Sequence, residues 1–198
     1  PYTTLFRSDH IFYACDGAPK ENLIVRLASF FHDIGKPECR STEVVKDGLH
    51  LIHFHGHESV SAKKAKSVMR NLKFSNEEID RVSHLVKEHM FYYENCWSDS
   101  AVRRFIIRVG IENFEDLLLL RLADIYGMHR IPLQEKSPSF LNLAELKNRV
   151  KKVLEEKQAL SLKDLAVNGG DLIKEGIPAG KKMGAILKEL FEAVTESP

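Results

Sequence analysis

The chain has 198 residues, 43% of them hydrophobic, which is enough for one compact core or a core with a small appended module and too little for three domains. Lys and Arg number 29 against 28 Asp and Glu, a formal net charge of +1. Neither an acidic tail nor a uniformly basic nucleic-acid coat is compatible with that balance, although local basic faces are.

The chain opens with PYTTLFRS, without Met and without helical periodicity, and reads as a cut or foreign start to a piece of something longer. A short apolar segment, His10–Cys15, follows and is compatible with an N-terminal helix. Lys20–Gly35 is apolar at Leu23, Ile24, Leu27, Phe30, Phe31 and Ile34, the pattern of a central buried helix, and Gly35-Lys36-Pro37 ends it. Thr42–Phe54 is the one β-like piece, with Asp47-Gly48 able to turn a small hairpin. Helices resume at Gly56–Leu72 and at Asn76–Met90, the second opened by the capping-box spacing of Ser75 and Glu78. A helix over about Ser98–Val109 ends at Gly110, and the next, about Asn113–Gly127, is nearly all apolar. Ile131–Phe140 holds two prolines and reads as a linker. Beyond it the pattern predicts a long amphipathic helix over about Leu141–Gln158 and a short piece at Ser161–Ala166. A turn at Gly169-Gly170 then leads to a helix Asp171–Glu175, capped by Asp171 and stopped at Gly176, and to a last helix over about Gly180–Thr195. The fold class expected is all-α: a helical bundle over residues 1–130 and a small α-helical C-terminal module over 131–198.

No membrane partner is expected. The densest apolar stretches, LIVRLASFF and LLLLRLAD, are broken by charge and fall short of the roughly 18 residues of a span. Three widely spaced cysteines (Cys15, Cys39, Cys96) make neither a disulfide framework nor a metal knuckle, and no signal peptide is recognisable, which together fit a reducing cytoplasm.

Nine histidines are the anomaly of the composition. His32-Asp33 stand side by side in FFHDIGKP, where an imidazole and a carboxylate among Phe30, Phe31 and Ile34 are costly to bury unless compensated. A buried His–Asp hydrogen bond is one compensation; a divalent metal is the other, because it takes neutral imidazole and ionised carboxylate as ligands. Asp124 lies on the face of its apolar helix that carries Leu117, seven residues earlier, and so points inward. His57 shares a face with Val60, Val68 and Leu72, and the stripe Ile79, Val82, Val86 continues to His89 while His84 falls off it. Three helices therefore each direct one ligand toward the core where a fourth presents His32-Asp33, and His10 could reach the same point. Convergence of that kind favours a metal site over isolated core histidines. His50, His53, His55, His84 and His129 read as surface or loop residues.

The order His10, His32-Asp33, His57, His89, Asp124 resembles the H…HD…H…H…D pattern of the HD superfamily of metal-dependent phosphohydrolases. More closely, FHGHESVSAKKAKSVMRNLKFSNEEIDRVSHLVKEHM, RLADIYG and SLKDLAVNGGDLIKEGIPAGKKMGAIL are similar to the C-terminal HD body and tail of bacterial CCA-adding tRNA nucleotidyltransferases, over nearly all of His10 to Pro198. That family's polymerase chemistry lies in an N-terminal head with a Gly-rich segment and an Asp-x-Asp pair. Neither is present in this sequence, so nucleotidyl transfer is not expected of this segment alone. The resemblance implies that His10, His32, Asp33 and Asp124 hold a divalent ion (Mg, Mn, Ni or Co), and that His57 and His89 either complete a second metal site or bind phosphate.

The activity expected is hydrolysis of a phosphomonoester or a 2′,3′-cyclic phosphodiester on a nucleotide or an RNA 3′ end. Asp33 would bridge or accept a proton. Lys36, one turn later, would hold a phosphate oxygen or simply be a solvated cation at a helix end. Two alternatives stand beside it: a non-catalytic RNA-holding body and tail, and a free-standing HD hydrolase of small nucleotides. Basic runs at Lys63-Lys64-x-Lys66, Arg103-Arg104…Arg108, Lys147-x-Arg149-x-Lys151-Lys152 and Lys181-Lys182 read as wet helix faces or as RNA contacts, and Lys181 and Lys182, at the start of the last helix, are the candidates for tRNA binding.

Overall fold

The computed structural model describes residues 8–44, 50–131, 134–155 and 164–196. The expected start PYTTLFRS (except Ser8), the hairpin turn at Asp47-Gly48, Pro132 in the linker and the residues 156–163 lie outside them. As expected, the described chain is all-α apart from one small hairpin. Its order is α1 (Ser8–Gly17), α2 (Leu23–Phe31), β1 (Ser41–Val44), β2 (His50–His53), α3 (His57–Asn71), α4 (Asn76–Glu88), α5 (Asp99–Val109), α6 (Ile111–His129), α7 (Pro138–Glu155), α8 (Gly169–Lys174) and α9 (Lys181–Glu196). No described helix is long and apolar enough to cross a membrane.

The chain divides into two units. One comprises Pro1–Tyr92 with Glu112–Ser137, the other Tyr93–Ile111 with Pro138–Pro198. In the first, α1 to α4 and all of α6 beyond its opening residue surround a core of Ala14, Val25, Ala28, Ala65, Met69, Val82, Leu85, Val86, Leu117, Leu120 and Ala123. Removing this apolar surface from water supplies the main driving force for the bundle. The antiparallel hairpin pairs Ser41 with His53 and Val44 with His50 and is exposed along the whole of β1.

Local chemistry sets the helix ends. Asn22 caps α2 by accepting from the Val25 amide at 3.0 Å, and its own amide donates to Asp116 on α6 at 2.8 Å. Arg81 on α4 donates to the second oxygen of Asp116 at 2.7 Å, so one buried carboxylate ties three helices together. The expected capping box of Ser75 and Glu78 opens α4. The expected Ser98–Val109 helix is α5, with Ser98 as its cap and Gly110 at its end.

Four expectations are corrected. Helix α2 stops at Phe31; Val25, Ala28, Ser29 and the following His32 are buried at i, i+3, i+4 and i+7, and Phe31 is buried as expected, while Leu23 and Phe30 are exposed. Helix α3 buries His57, Ser61, Ala62, Ala65 and Met69, leaving Val68 and Leu72 outside. In both, alanine and serine share the inward face with larger side chains, Val25 and Phe31 on α2 and Met69 on α3. The long helix after the linker begins with Pro138 rather than Leu141, proline being well suited to a first helical turn. Helix α8 is capped by Asn168, with Asp171 at the third helical position completing the capping box, so Gly169-Gly170 form its first turn. Of Ser161–Ala166, the described residues are Asp164, in a 3-10 turn, and Leu165 and Ala166, which are not helical.

In the second unit, Val102, Phe105, Ile106 and Val109 of α5 are buried, as are Leu146, Val150 and Val153 of α7. Trp97 packs edge-on against Tyr93 and Phe105. Two of the basic residues read as faces are internal fasteners: Arg103 is buried and donates from Nε to the Thr195 carbonyl at 2.9 Å, and Arg149 donates to the Trp97 carbonyl at 2.7 Å and to Asp99 at 2.5 Å.

Candidate metal centre

His10 lies on α1, His32 and Asp33 in the turn that ends α2, His57 at the start of α3, His89 at the end of α4, and Asp124 on α6. Two glycines make their meeting possible. A Cβ on Gly35 would stand 2.7 Å from both the His57 carbonyl oxygen and the Ser61 amide nitrogen, so only glycine lets the His32-Asp33 turn lie directly on α3. The Gly35 amide then donates to Ser61 Oγ at 2.9 Å. A Cβ on Gly127 would stand 2.9 Å from His10 Nδ1, so that position lets α6 close on α1.

All six expected residues converge. They form two groups of three, His10 with His32 and Asp124, and Asp33 with His57 and His89, and within each group the candidate ligand atoms lie within 4.8 Å of one another. Asp33 joins the groups. Its Oδ2 is 3.3 Å from His32 Nε2 and 3.5 Å from His10 Nε2, while its Oδ1 is 3.2 Å from His57 Nε2 and 4.0 Å from His89 Nε2. Asp124 Oδ1 lies 3.1 Å from His10 Nε2 and 3.5 Å from His32 Nε2.

Three of the imidazoles are held in one orientation. His32, His57 and His89 each donate Nδ1–H to the carbonyl three residues earlier, at Ser29 (2.7 Å), Phe54 (2.8 Å) and Val86 (2.7 Å). A carbonyl can only accept, so Nδ1 carries the proton and, in the neutral ring, Nε2 presents a lone pair inward. His57 Nε2 is buried and makes no hydrogen bond despite its closeness to Asp33. Lone pairs of imidazole and carboxylate facing one another in a buried site need a proton or a cation between them. The donor set of neutral nitrogen and anionic oxygen, with the Nδ1 of His32, His57 and His89 fixed by an outer partner, therefore fits a hard or borderline divalent ion.

The electrostatics express the same demand. Burial opposes a proton on His32, but hydrogen bonds to Asp124 and Asp33 outweigh it and push this imidazole up to about 10. Burial and the neighbouring His32 hold His89 down to about 4. Although burial works against ionisation of Asp33 and Asp124, the imidazoles of His32 and His57 beside the first, with Lys36, and of His10 and His32 beside the second, with Arg121, keep both well below the usual carboxylate range. The pocket thus holds two ionised carboxylates and attracts positive charge to the point where the Nε2 atoms meet.

Lys36 Nζ lies 2.6 Å from Asp33 Oδ2 and stacks 5.8 Å above the Phe54 ring. Sequence reasoning missed Arg121, which donates to Asp124 Oδ2 at 2.8 Å; the signal was there in its i, i+3 spacing to a buried acid. It also missed Ser61, which has no sequence signature. His50, His55 and His129 are exposed, and His53 and His84 partly so, none of them in the centre. Lys181 and Lys182 are exposed at the start of α9.

Residues 52–197 match the family model of tRNA nucleotidyltransferase domain 2. The chain is 31% identical over 178 residues to the A-adding tRNA nucleotidyltransferase of Deinococcus radiodurans, a match covering 88% of this chain and 38% of that protein. It is 30% identical over 193 residues to the CC-adding tRNA nucleotidyltransferase of Thermus thermophilus, covering 98% of this chain and 40% of the relative. The chain thus spans about two fifths of the length of these relatives. No solved structure matches. With the family model covering well over half of its residues, the chain belongs to the tRNA nucleotidyltransferase family, through domain 2 of that family.

Proposed function

We propose that this chain is an HD-type, divalent-metal-dependent phosphohydrolase unit of a tRNA-processing protein, acting on a phosphomonoester or a 2′,3′-cyclic phosphodiester of a nucleotide or an RNA 3′ end. The observation that carries the reading is the inward aim of four imidazoles and two carboxylates from five separate segments, three of the imidazoles locked by their own backbone. His10, His32 and Asp124 would hold one ion, and His57 and His89 would hold a second or face the phosphate, with Asp33 shared between the groups. When bound, the ion supplies Lewis acidity toward a phosphoryl oxygen and makes a nearby water more acidic.

The chain's own residues do the rest. Asp33, held strongly ionised, is a poor proton acceptor and serves as the bridge between the two trios, with one oxygen directed to each. Lys36 neutralises Asp33 on one side and keeps further N–H donors for a phosphate oxygen. In the C-terminal module, Lys181 and Lys182 at the opening of α9 would meet RNA phosphates as point charges. The relatives are tRNA nucleotidyltransferases by name, which favours tRNA as the RNA.

The test is to purify the chain, add Mn²⁺, Ni²⁺, Co²⁺ or Mg²⁺ in turn, and assay cyclic nucleotides and p-nitrophenyl phosphoesters. Turnover with at least one metal that disappears in Asp33→Ala is expected. No turnover with any of them, or turnover unchanged in Asp33→Ala, refutes the hydrolase. In that event the family membership favours the second reading, a non-catalytic body and tail that grips tRNA, whose affinity should fall steeply with salt.

A further inference from the structure

We propose that Arg121 binds the substrate's phosphoryl group, forming with Lys36 a pair of cations on the open side of the metal centre. The inference rests on the phosphohydrolase reading above and names the side from which, and the groups by which, that site takes its substrate.

The centre is unevenly buried. The side chains of His32, His57, His89 and Asp33 are each no more than 6% exposed, whereas His10 is 16% and Asp124 12% exposed. Solvent, and anything arriving from it, therefore reaches the trio of His10, His32 and Asp124 through His10 and Asp124, His32 being 1% exposed, and the trio of Asp33, His57 and His89 lies behind. An ion held by Asp33, His57 and His89 would order the site, and one held by His10, His32 and Asp124 would supply Lewis acidity toward the substrate.

Two cations stand beside that opening, and both are partly exposed: Lys36 at 23% and Arg121 at 25% of the side chain. Each is tied by one contact to a carboxylate of the centre, Lys36 to Asp33 Oδ2 and Arg121 Nη1 to Asp124 Oδ2. His10 Nε2 lies between those carboxylates, 3.5 Å from Asp33 and 3.1 Å from Asp124, so the cations flank the outer trio from opposite ends of a continuous polar chain. Among the described residues Arg121 has no other hydrogen bond or ion pair. A guanidinium carries five N–H donors in a planar fork that matches two oxygens of a phosphate, and most of them are left over here. Donors placed beforehand where charge builds on phosphoryl oxygens are the expected equipment of a phosphoester site.

The experiment uses the full chain saturated with Mn²⁺, with metal content measured by elemental analysis, and inorganic phosphate as the calorimetric probe. In Arg121→Ala the Mn²⁺ content is expected to match wild type while phosphate binds about tenfold more weakly, the loss of one charge-assisted contact at a partly exposed site. Arg121→Lys, which keeps the charge without the fork, should recover part of that loss. A phosphate Kd within twofold of wild type at equal Mn²⁺ content overturns the proposal. So does a loss that only follows departed Mn²⁺, since Arg121 would then act through Asp124. Wild-type protein that takes up no Mn²⁺ overturns the metal reading itself and this inference with it. Should Arg121→Ala fail to fold by circular dichroism, Arg121→Gln carries the same comparison.

Discussion

Replacing Gly35 by alanine puts the closeness of the His32-Asp33 turn to α3 to the test. The new Cβ would stand 2.7 Å from two backbone atoms, against an ordinary contact of 3.4 Å or more, and backbone cannot swing aside as a side chain can. The turn must retreat by about 0.7 Å, breaking the Gly35–Ser61 hydrogen bond on the way. Overpacking of this kind costs about 2 kcal/mol, and the lost hydrogen bond adds about 1 kcal/mol. At roughly 2–4 °C per kcal/mol, Tm falls by about 6–12 °C. The same retreat carries Asp33, two residues earlier, away from His57 Nε2. Metal ligands tolerate only about 0.2 Å of displacement, so Mn²⁺ affinity falls about 10- to 100-fold. Thermal melting and Mn²⁺ titration of Gly35→Ala check both figures. A variant that melts within 1 °C of wild type and binds Mn²⁺ equally well would show that this contact does not hold the two segments together.

Gly184 is the opposite case: a Cβ there meets nothing within 4 Å in an exposed helix, so Gly184→Ala should raise stability by about 0.5–1 kcal/mol, read by urea denaturation. Asp116→Ala removes the shared acceptor of Asn22 and Arg81 and should cost about 2 kcal/mol, less if solvent takes over Arg81, again by denaturation. The hydrogen bond from Arg149 lowers the pKa of Asp99, so this pair's stabilisation is present above the unfolded value of 3.8 and is lost as pH falls through the lower folded one. Asp99 is more than half exposed, which limits the effect to under about 1 kcal/mol. Melting curves of Asp99→Asn below pH 4 should therefore fall less steeply than those of wild type. If the centre takes a divalent ion, Mn²⁺ at 100 times its Kd should stabilise the first unit by about 2.7 kcal/mol, reversibly with chelator, and an unchanged Tm contradicts that.

The parts of the centre legible in the sequence were those marked by a broken rule. Asp124 in LLLLRLAD and His32-Asp33 among phenylalanines are polar groups where apolar ones are expected, and both are buried. The stripe of α4 led to His89 because its large side chains do face the core. The same reasoning on α2 and α3 reached His32 and His57, and Phe31 is buried as expected, while other chosen companions lie outside. Leu23, Phe30, Val68 and Leu72 are exposed, and alanine and serine share the interface, because close helix contact selects for small volume and hydropathy alone does not register it. Arg103 and Arg149 went unread for another reason. Their acceptors, Thr195 and Asp99, lie 92 and 50 residues away, beyond any local pattern. Family resemblance supplied the order of the ligands; it said nothing of Arg121 or Ser61, whose parts are set by packing.

The bonds from His32 and His89 to Ser29 and Val86 also cap carbonyls in the last turns of α2 and α4, where a helix has no partner of its own to offer. These two rings thus terminate helices as well as turn Nε2 toward the proposed metal site, and a chain without the proposed hydrolysis would still need them at those helix ends. His10 and Asp124 finish no helix. Under the proposed hydrolysis their identity answers to the chemistry and not to the ends of helices.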